Sequence, residues 1–284
     1  MKTVVLGDTK SQHLQSVNVA KIKEKQHMDT NGNINKSHKT VVLGDTHGRS
    51  VWKLIYEIEK PDRLIFIGDY FDSFDIKGAE QLSNFQDIIT FKEKNECEVI
   101  MLIGNHDHHY FPEVGDTGTS GYQHLLAPSI QYVVGENRHH LQMAYQMDEF
   151  LFTHAGVSSD FMDSVFGKGD WKVENIVDDL NEMFKHKPKT FEFGMAISMK
   201  KMYYMDPSGD NVEQSPIWIR PRSLMNANYK TLRKQIIQVV GHTQVIKIDT
   251  EGMATGNRYY FIDCLGTSGQ YMIINDGNVT FNKI

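Results

Sequence analysis

The sequence predicts an α/β domain, and three observations predict it. Short apolar runs at residues 40–43, 63–67 and 99–103 alternate with segments whose apolar residues recur at helical spacing. The runs are continuous rather than alternating, as expected of strands covered on both faces. Each run also ends in glycine followed by a polar residue able to bind a metal: Gly44-Asp45, Gly68-Asp69 and Gly104-Asn105. Glycine lets the backbone turn sharply and leaves room for a ligand, and open α/β sheets bind ligands at the carboxyl ends of their strands.

Residues 1–9 contain Lys-Thr-Val-Val-Leu-Gly-Asp-Thr, and residues 39–46 repeat these eight identically. The repeat is a local duplication or an artefact of the coding sequence, too short and too solitary for a solenoid. Lys10 follows the first copy and His47 the second, and only the second runs into a helical pattern (Val51, Leu54, Ile55, Ile58). The chemistry is therefore assigned to the second. Residues 10–38 are polar, with a turn-rich Asp29-Thr30-Asn31-Gly32-Asn33, and read as a linker or tail. The first copy has the β-branching to add as an edge strand. Residues 1–38 are thus expected to be an extension and 39–284 a single catalytic domain.

Pro61 ends the first helix, and the strand at 63–67 leads into Gly68-Asp69-Tyr70-Phe71-Asp72. A helix follows with Leu82, Phe85 and Ile89 on one face, then the strand at 99–103 and Gly104-Asn105-His106-Asp107. Residues 108–146 read as loops and short helices over the site. A fourth strand at 149–152 ends in Thr153-His154-Ala155-Gly156. Residues 158–235 are helical or loop, with an amphipathic piece (Ile176, Leu180, Phe184) and the segment Trp218-Ile219-Arg220-Pro221-Arg222. A fifth strand at 236–240 ends in Gly241-His242-Thr243. Runs at 245–248, 259–262, 271–274 and 279–281 are expected to be antiparallel strands of a second sheet packed on the first. Asn275-Asp276-Gly277-Asn278 is a hairpin turn signal.

The bulk properties narrow the classes. With 284 residues, 40% hydrophobic, the chain can bury one sizeable core. A net charge of −6 gives no global basic field for nucleic acid or an anionic membrane. No apolar run is long enough to span a bilayer and no secretory h-region is evident, so a cytoplasmic location is expected. Cys97 and Cys264 are expected as buried thiols, with a single disulfide left open.

Five strand ends offer Asp45/His47, Asp69/Asp72, Asn105/His106, His154 and His242. Asp45 and His47, two apart on an extended chain, share a face. On their own they would pass for a helix cap and a surface histidine. The combined oxygen and nitrogen donors suit Mn, Fe or Zn better than Ca or Mg. About six ligands exceed one tetrahedral site, so two ions are the economical reading. Ions about 3.5–4 Å apart can share a hydroxide and clamp a phosphate for in-line displacement. Asp69 is the candidate bridge between them.

The ordered set Gly-Asp-x-His-Gly, Gly-Asp-x-x-Asp, Gly-Asn-His-Asp, His-Ala-Gly and Gly-His resembles the calcineurin-like metallophosphoesterases. It is most similar to their phosphoprotein phosphatase branch, with its bacterial and phage members and the related symmetrical dinucleoside tetraphosphatases. The resemblance runs over about residues 39–265. It implies a four-layer sandwich of two mixed β-sheets flanked by helices, with a dinuclear centre at one edge. Carried over, Asp45, His47 and Asp69 hold one metal, and Asp69, Asn105, His154 and His242 the other. Two divalent ions are implied, Mn2+ first, with Fe or Zn as alternatives. His106 becomes the general acid and Asp72 the residue that orients it.

The sequence departs from the branch where Gly-Asp-x-x-Asp usually continues with Arg-Gly and here continues with Ser73-Phe74. Ile103 also stands where many members carry arginine. Arg220, in a Trp-x-Arg segment like that of bacterial members, is the replacement phosphate clamp, with Arg222 second and Arg49 a further candidate by position. An ordinary surface charge is the alternative for each. His108 and His109 are read as surface or supporting residues, and His139-His140 as solvated. Met195, Met199, Met202 and Met205 are read as core or lid filling, and Asp107 as a loop anchor. Tyr70 and Phe71 either line the cleft or pack beneath it. The expected function is a phosphomonoesterase of the protein serine/threonine phosphatase type acting on a phosphorylated substrate. A nucleotide or dinucleoside polyphosphate hydrolase is the alternative. A metal- or phosphate-binding module without turnover is disfavoured by the intact His106 and Asp72.

Overall fold

A computed structural model describes residues 27–28, 34–35, 38–198, 210–227, 232, 236–250 and 258–284. Contacts divide the chain after Ser37. In the first unit β1 (His27–Met28) pairs antiparallel with β2 (Ile34–Asn35). The first copy of the duplicated strand lies outside the described residues.

The second unit grows from β3 (Lys39–Leu43), where Val41, Val42 and Leu43 are all fully buried. A strand with no wet face must sit in the middle of a sheet covered on both sides. Helix α1 (Trp52–Glu59), β4 (Arg63–Phe66), α2 (Gly78–Lys94) and β5 (Glu98–Leu102) follow. Next come a one-turn helix α3 (Asn105–His108), α4 (Ala127–Glu136), β6 (Leu141–Gln142), β7 (Ala144–Met147) and β8 (Phe150–Thr153). The remainder is α5 (Ser159–Phe166), α6 (Ile176–His186), α7 (Pro221–Asn226), β9 (Ile237–Val240), β10 (Tyr259–Phe261), β11 (Gln270–Asn275) and β12 (Asn278–Lys283).

Two mixed sheets result. The six-stranded sheet has the order β12-β11-β3-β4-β5-β6, with β3 to β6 parallel and β11 antiparallel to both β3 and β12. The four-stranded sheet has the order β10-β9-β8-β7, with only the β7–β8 pair antiparallel. Between the sheets pack Val42, Ile65, Ile100, Phe152, Val239 and Met272. The alternate residues Val41, Leu43, Phe66 and Met101 face outward onto Trp52, Ile55, Phe85 and Ile88 of α1 and α2. Each such side chain contributes about 1.5–3 kcal/mol on full burial. Behind the smaller sheet, Leu224 of α7 packs with Val240, Tyr259 and Phe261.

The C-terminal strands correct one expectation. They do not form a separate antiparallel sheet: β9 and β10 run parallel to β8, while the β11–β12 hairpin joins the first sheet beside β3. Residues 245–248 are loop. A short apolar run carries no label for parallel or antiparallel, or for which sheet it joins. The hairpin turn itself is as expected, with Asp276 and Gly277 both at positive φ. A second correction is on α1, where Leu54 and Ile58 face solvent and the buried pair is Trp52 and Ile55, three apart. Both cysteines are free and buried. Among the described residues no helix is long and apolar enough to cross a membrane.

Candidate metal centre

The donors arrive on the carboxyl ends of β3, β4, β5, β8 and β9, and glycines let them converge. A Cβ on Gly104 would lie 2.0 Å from Asp69 Oδ1, and one on Gly241 would lie 2.1 Å from Asp45 Oδ1. At Gly68, where φ is +110°, it would meet Gly104 N at 2.4 Å. The carboxylate of one strand end occupies the space a neighbour's side chain would fill. Asp107 secures the crossing as a loop anchor, accepting from the backbone N–H of Asp69 (2.7 Å), Tyr70 (2.7 Å) and Gly104 (2.9 Å). Burial and the adjacent Asp69 push its carboxyl up to about 8. His47, Asp69, Asp72 and His242 all hold positive φ, four of the seven non-glycine residues that do so among the described residues. Such strain persists where surrounding structure over-determines it, and clusters at functional sites.

The three candidate imidazole ligands share one arrangement. His47 Nδ1 donates to Phe71 O (2.7 Å), His154 Nδ1 to Ile67 O (3.0 Å) and His242 Nε2 to Trp218 O (3.2 Å). A carbonyl can only accept, so each outward nitrogen carries the proton and the inward one is left as a donor of electrons. Inward, His154 Nε2 and His242 Nδ1 approach the same Asn105 Oδ1 at 3.0 and 2.9 Å. His154 Nε2 is 3.4 Å from Asp69 Oδ2 and His47 Nε2 is 3.8 Å from the same oxygen. Asp69 is thus reached from both sides. Oxygens of Asp45 and Asp69 and a ring nitrogen of His154 all lie within 4.8 Å of one another.

The electrostatics are those of a cluster short of positive charge. Burial and the nearby Asp263 push Asp45 well above the usual carboxylate range. Against burial, His154 and His106 hold Asp69 well below it. Against burial, Asp69 and Asp45 push His154 up to about 10. Burial and His154 drive His242 well below the usual imidazole range. Buried carboxylates must be neutralised, paired or bound to metal. Imidazoles and an amide oxygen turned inward on several carboxylates, which raise His154 toward its protonated form, are the chemistry of a site for a divalent cation that would displace that proton, so the residues fit the implied ions.

Beside this cluster, His106 Nδ1 donates to Asp72 Oδ2 at 3.0 Å and the His106 backbone N–H to Asp69 Oδ1 at 2.9 Å. Against burial, Asp69 and Asp72 raise His106, and against burial the hydrogen bond from His106 and the adjacent His109 lower Asp72. The cleft in front of both clusters has a volume of about 430 Å³. Arg49 and Arg220 form part of its wall. Arg220 donates to Thr243 Oγ1 at 3.3 Å, and Arg49 donates to Thr46 O at 3.3 Å. Arg222 is exposed on α7 and is not among the residues that line the cleft. The helix turn that places Arg220 at the mouth carries a residue two further on around to another face.

Of the remaining residues, some stand where the sequence suggests and others do not. His108 and His109 are buried, not superficial. His108 donates to Pro188 O at 2.9 Å, and burial pushes it down to about 4. Tyr70 and Phe71 pack beneath the cleft at 0% exposure. Met195 is exposed, not core filling, and Met199, Met202 and Met205 lie outside the described residues. His139 is exposed and His140 contacts Glu93. One contributor was missed. Asp263, after β10, faces Asp45 and His47, and burial raises its carboxyl. Its signal was present, a carboxylate directly after the apolar run at 259–262, but without the preceding glycine. His109, read from the sequence as a surface or supporting residue, takes the supporting place, with Nε2 2.8 Å from Asp72 Oδ2.

Comparison with known proteins extends these observations. The family model for the calcineurin-like phosphoesterase matches residues 38–248. The fold is similar to the cold-active protein-tyrosine phosphatase of the psychrophile Shewanella sp., with a TM-score of 0.57, 16% identity and 87% and 78% of the two chains covered. It is also similar to a protein serine/threonine phosphatase from Saccharomyces cerevisiae described as similar to human phosphatase PP5. There the TM-score is 0.53, with 13% identity and 87% and 79% covered. At these identities the likeness speaks to the fold. No curated protein matches the sequence. Because the family match spans every strand end that carries a candidate ligand, the chain belongs to the calcineurin-like phosphoesterases and is a metal-dependent phosphoesterase.

Proposed function

We propose that the protein hydrolyses phosphate monoesters at a dinuclear centre, in the manner of a protein serine/threonine phosphatase. Asp45, His47 and Asp69 would hold one ion and Asp69, Asn105, His154 and His242 the other. The observation that carries this is the tethering of all three histidines by backbone carbonyls, which turns their other ring nitrogens inward onto Asp69 and Asn105. Two divalent ions, Mn2+ first by donor type, supply charge neutralisation for the phosphate and an activated water when bound.

The chain's own groups do the rest. His106, held by Asp72, is the proton source for the leaving oxygen, since an alkoxide is a poor leaving group without one. Against burial, the neighbouring carboxylates raise it toward its charged, proton-donating form. Arg220 and Arg49, on the cleft wall, are the candidate anchors for phosphate oxygens. Turnover of p-nitrophenyl phosphate by protein loaded with Mn2+ is the expected result. Folded, metal-loaded protein with no turnover would refute the reading.

One observation favours a second substrate class. Where the phosphatase branch carries Arg-Gly, Ser73 and Phe74 line the cleft, and Phe74 is 81% exposed. Its turn is pinned, because Gln81 donates to Ile76 O at 2.5 Å and accepts from Ser73 N at 3.2 Å. An exposed phenyl ring in place of a guanidinium suits a flat group better than a second phosphate oxygen. Nucleotides and dinucleoside polyphosphates are therefore the alternative, separated from phosphopeptides by comparing kcat/KM across a substrate panel.

A further inference from the structure

Asp72 is held from more sides than orienting one histidine requires. Its side chain is fully buried. Oδ2 accepts from His106 Nδ1 at 3.0 Å and has His109 Nε2 at 2.8 Å. Oδ1 accepts from the Tyr110 hydroxyl at 2.6 Å. We infer that His109 and Tyr110 are positioning residues that fix the Asp72 carboxylate, and through it the aim of His106 at the leaving group. The inference rests on the reading of His106 as the proton donor.

The last torsion of an aspartate is broad and roughly two-fold. A carboxylate held through one oxygen can still swing about that contact, and its imidazole swings with it. A short, charge-assisted bond to the second oxygen removes that freedom. Tyr110 is itself fixed: its hydroxyl accepts from Gln123 N at 2.9 Å, and its ring stacks on Tyr122 at 4.9 Å and 12°. The turn before Gln123 closes on the dyad, since a Cβ at Gly121 would lie 3.0 Å from Asp72 Cβ.

His109 points the same way. It is 1% exposed, packed edge-on to Tyr110 and Tyr122 at 4.6 and 4.8 Å. Neither ring nitrogen makes an aligned hydrogen bond, although Nε2 sits against Asp72 Oδ2. A buried imidazole with no better partner costs stability unless the carboxylate compensates it. His109 thus crowds Asp72 against His106 from the side opposite the cleft. The rival account is that Asp72, His106 and His109 together ligate a cation, since their donor atoms lie within 4.8 Å of one another.

A structural role would lower activity on every substrate alike, whereas loss of proton donation depends on the leaving group. The experiment compares kcat on phosphoserine, which needs the proton, with kcat on p-nitrophenyl phosphate, which needs it less. For Tyr110→Phe, kcat on phosphoserine is expected to fall about tenfold more than on p-nitrophenyl phosphate, a fraction of a full general-acid effect. KM and bound metal should stay the same. His109→Gln, which keeps a nitrogen near Asp72, should shift the ratio less than His109→Phe, and it serves if Tyr110→Phe does not fold. Equal losses on both substrates at unchanged melting temperature would overturn the inference, as would no loss. Loss of a metal ion from either variant would overturn it in favour of the cation account. Wild-type protein inactive on both substrates would overturn the reading of the site itself.

Discussion

The cleft holds two neighbouring clusters of carboxylate and imidazole that differ in what they lack. In the inner one, Asn105 Oδ1 faces two ring nitrogens whose protons lie on the far side of their rings, and Asp45 and Asp69 crowd the same space. The carboxylates there raise His154 toward its protonated form, a charge that a bound cation would replace. In the outer one, each oxygen of Asp72 meets a donor, from His106 or Tyr110. Protons alone complete it. Side chains of the same kinds, drawn in part from the same two strand ends, suit a cation in one case and proton transfer in the other. The difference lies in whether the backbone has already taken the imidazole proton.

The sharpest way to break this comparison is to damage each cluster by a near-isosteric change. Asp69→Asn should remove bound metal and activity together, with kcat down by more than about 1,000-fold as for loss of a central electrostatic stabiliser. His106→Asn should lower kcat by about 100- to 10,000-fold while leaving metal content intact. Metal analysis of the purified variants beside kcat tests both. Equal metal loss in the two would show that the clusters are not separate.

Removing the metal sharpens the same line through stability. An ion bound only by the folded state adds about 2.7 kcal/mol at 100 times its Kd. Chelation should therefore lower Tm by several degrees in wild type and in Asp72→Asn, and by little in Asp69→Asn. Calorimetry with and without EDTA reads this directly. A wild-type Tm insensitive to EDTA would mean that the inner cluster is stable on protons, with His154 holding one among its carboxylates.

The contrast also explains what the sequence disclosed. Each inner ligand follows an apolar run, most of them directly after a glycine. The reason is now visible: a Cβ on Gly104 or Gly241 would strike the carboxylate of the next strand end. Backbone crowding writes itself into local sequence. Asp263 escaped notice because no glycine precedes it. Tyr110 left no trace because its partner, Asp72, lies more than thirty residues away and meets it only through the one-turn helix α3. Sheet allocation was hidden for a similar reason: β9 and β11 are both short apolar runs, and long-range pairing alone sends them to different sheets.

The arginines extend the comparison to the wall of the cleft, which loops supply. Arg220→Ala should raise KM about tenfold, equivalent to about 1.4 kcal/mol, with a smaller effect on kcat. Arg222→Ala, exposed and outside the cleft, should leave KM unchanged. Steady-state kinetics on one substrate decides it. The reverse order would return Arg222 to the clamp and require α7 to turn.

Glu59 gives a third way to hold a carboxylate, far from the cleft, and the smallest effect. It joins α1 to the first sheet. Lys39 Nζ lies at 2.5 Å, and the Tyr271 hydroxyl and Asn282 amide donate to Oε1 at 2.6 and 2.8 Å. Here a fixed cation from the chain itself supplies the charge that the inner cluster must import. Against burial, these three partners hold the Glu59 carboxyl below its ordinary value. A depressed carboxyl contributes stability above the unfolded value, and that contribution is lost as pH falls through the folded one. Glu59→Gln should therefore cost about 1 kcal/mol at neutral pH, typical of a hydrogen bond to a charged group in part-buried surroundings. The cost should shrink in acid, where wild type is itself protonated. Denaturant unfolding at neutral and acidic pH checks the sign. A cost that grew on acidification would show that packing of the side chain, rather than its charge, ties α1 to β3, β11 and β12.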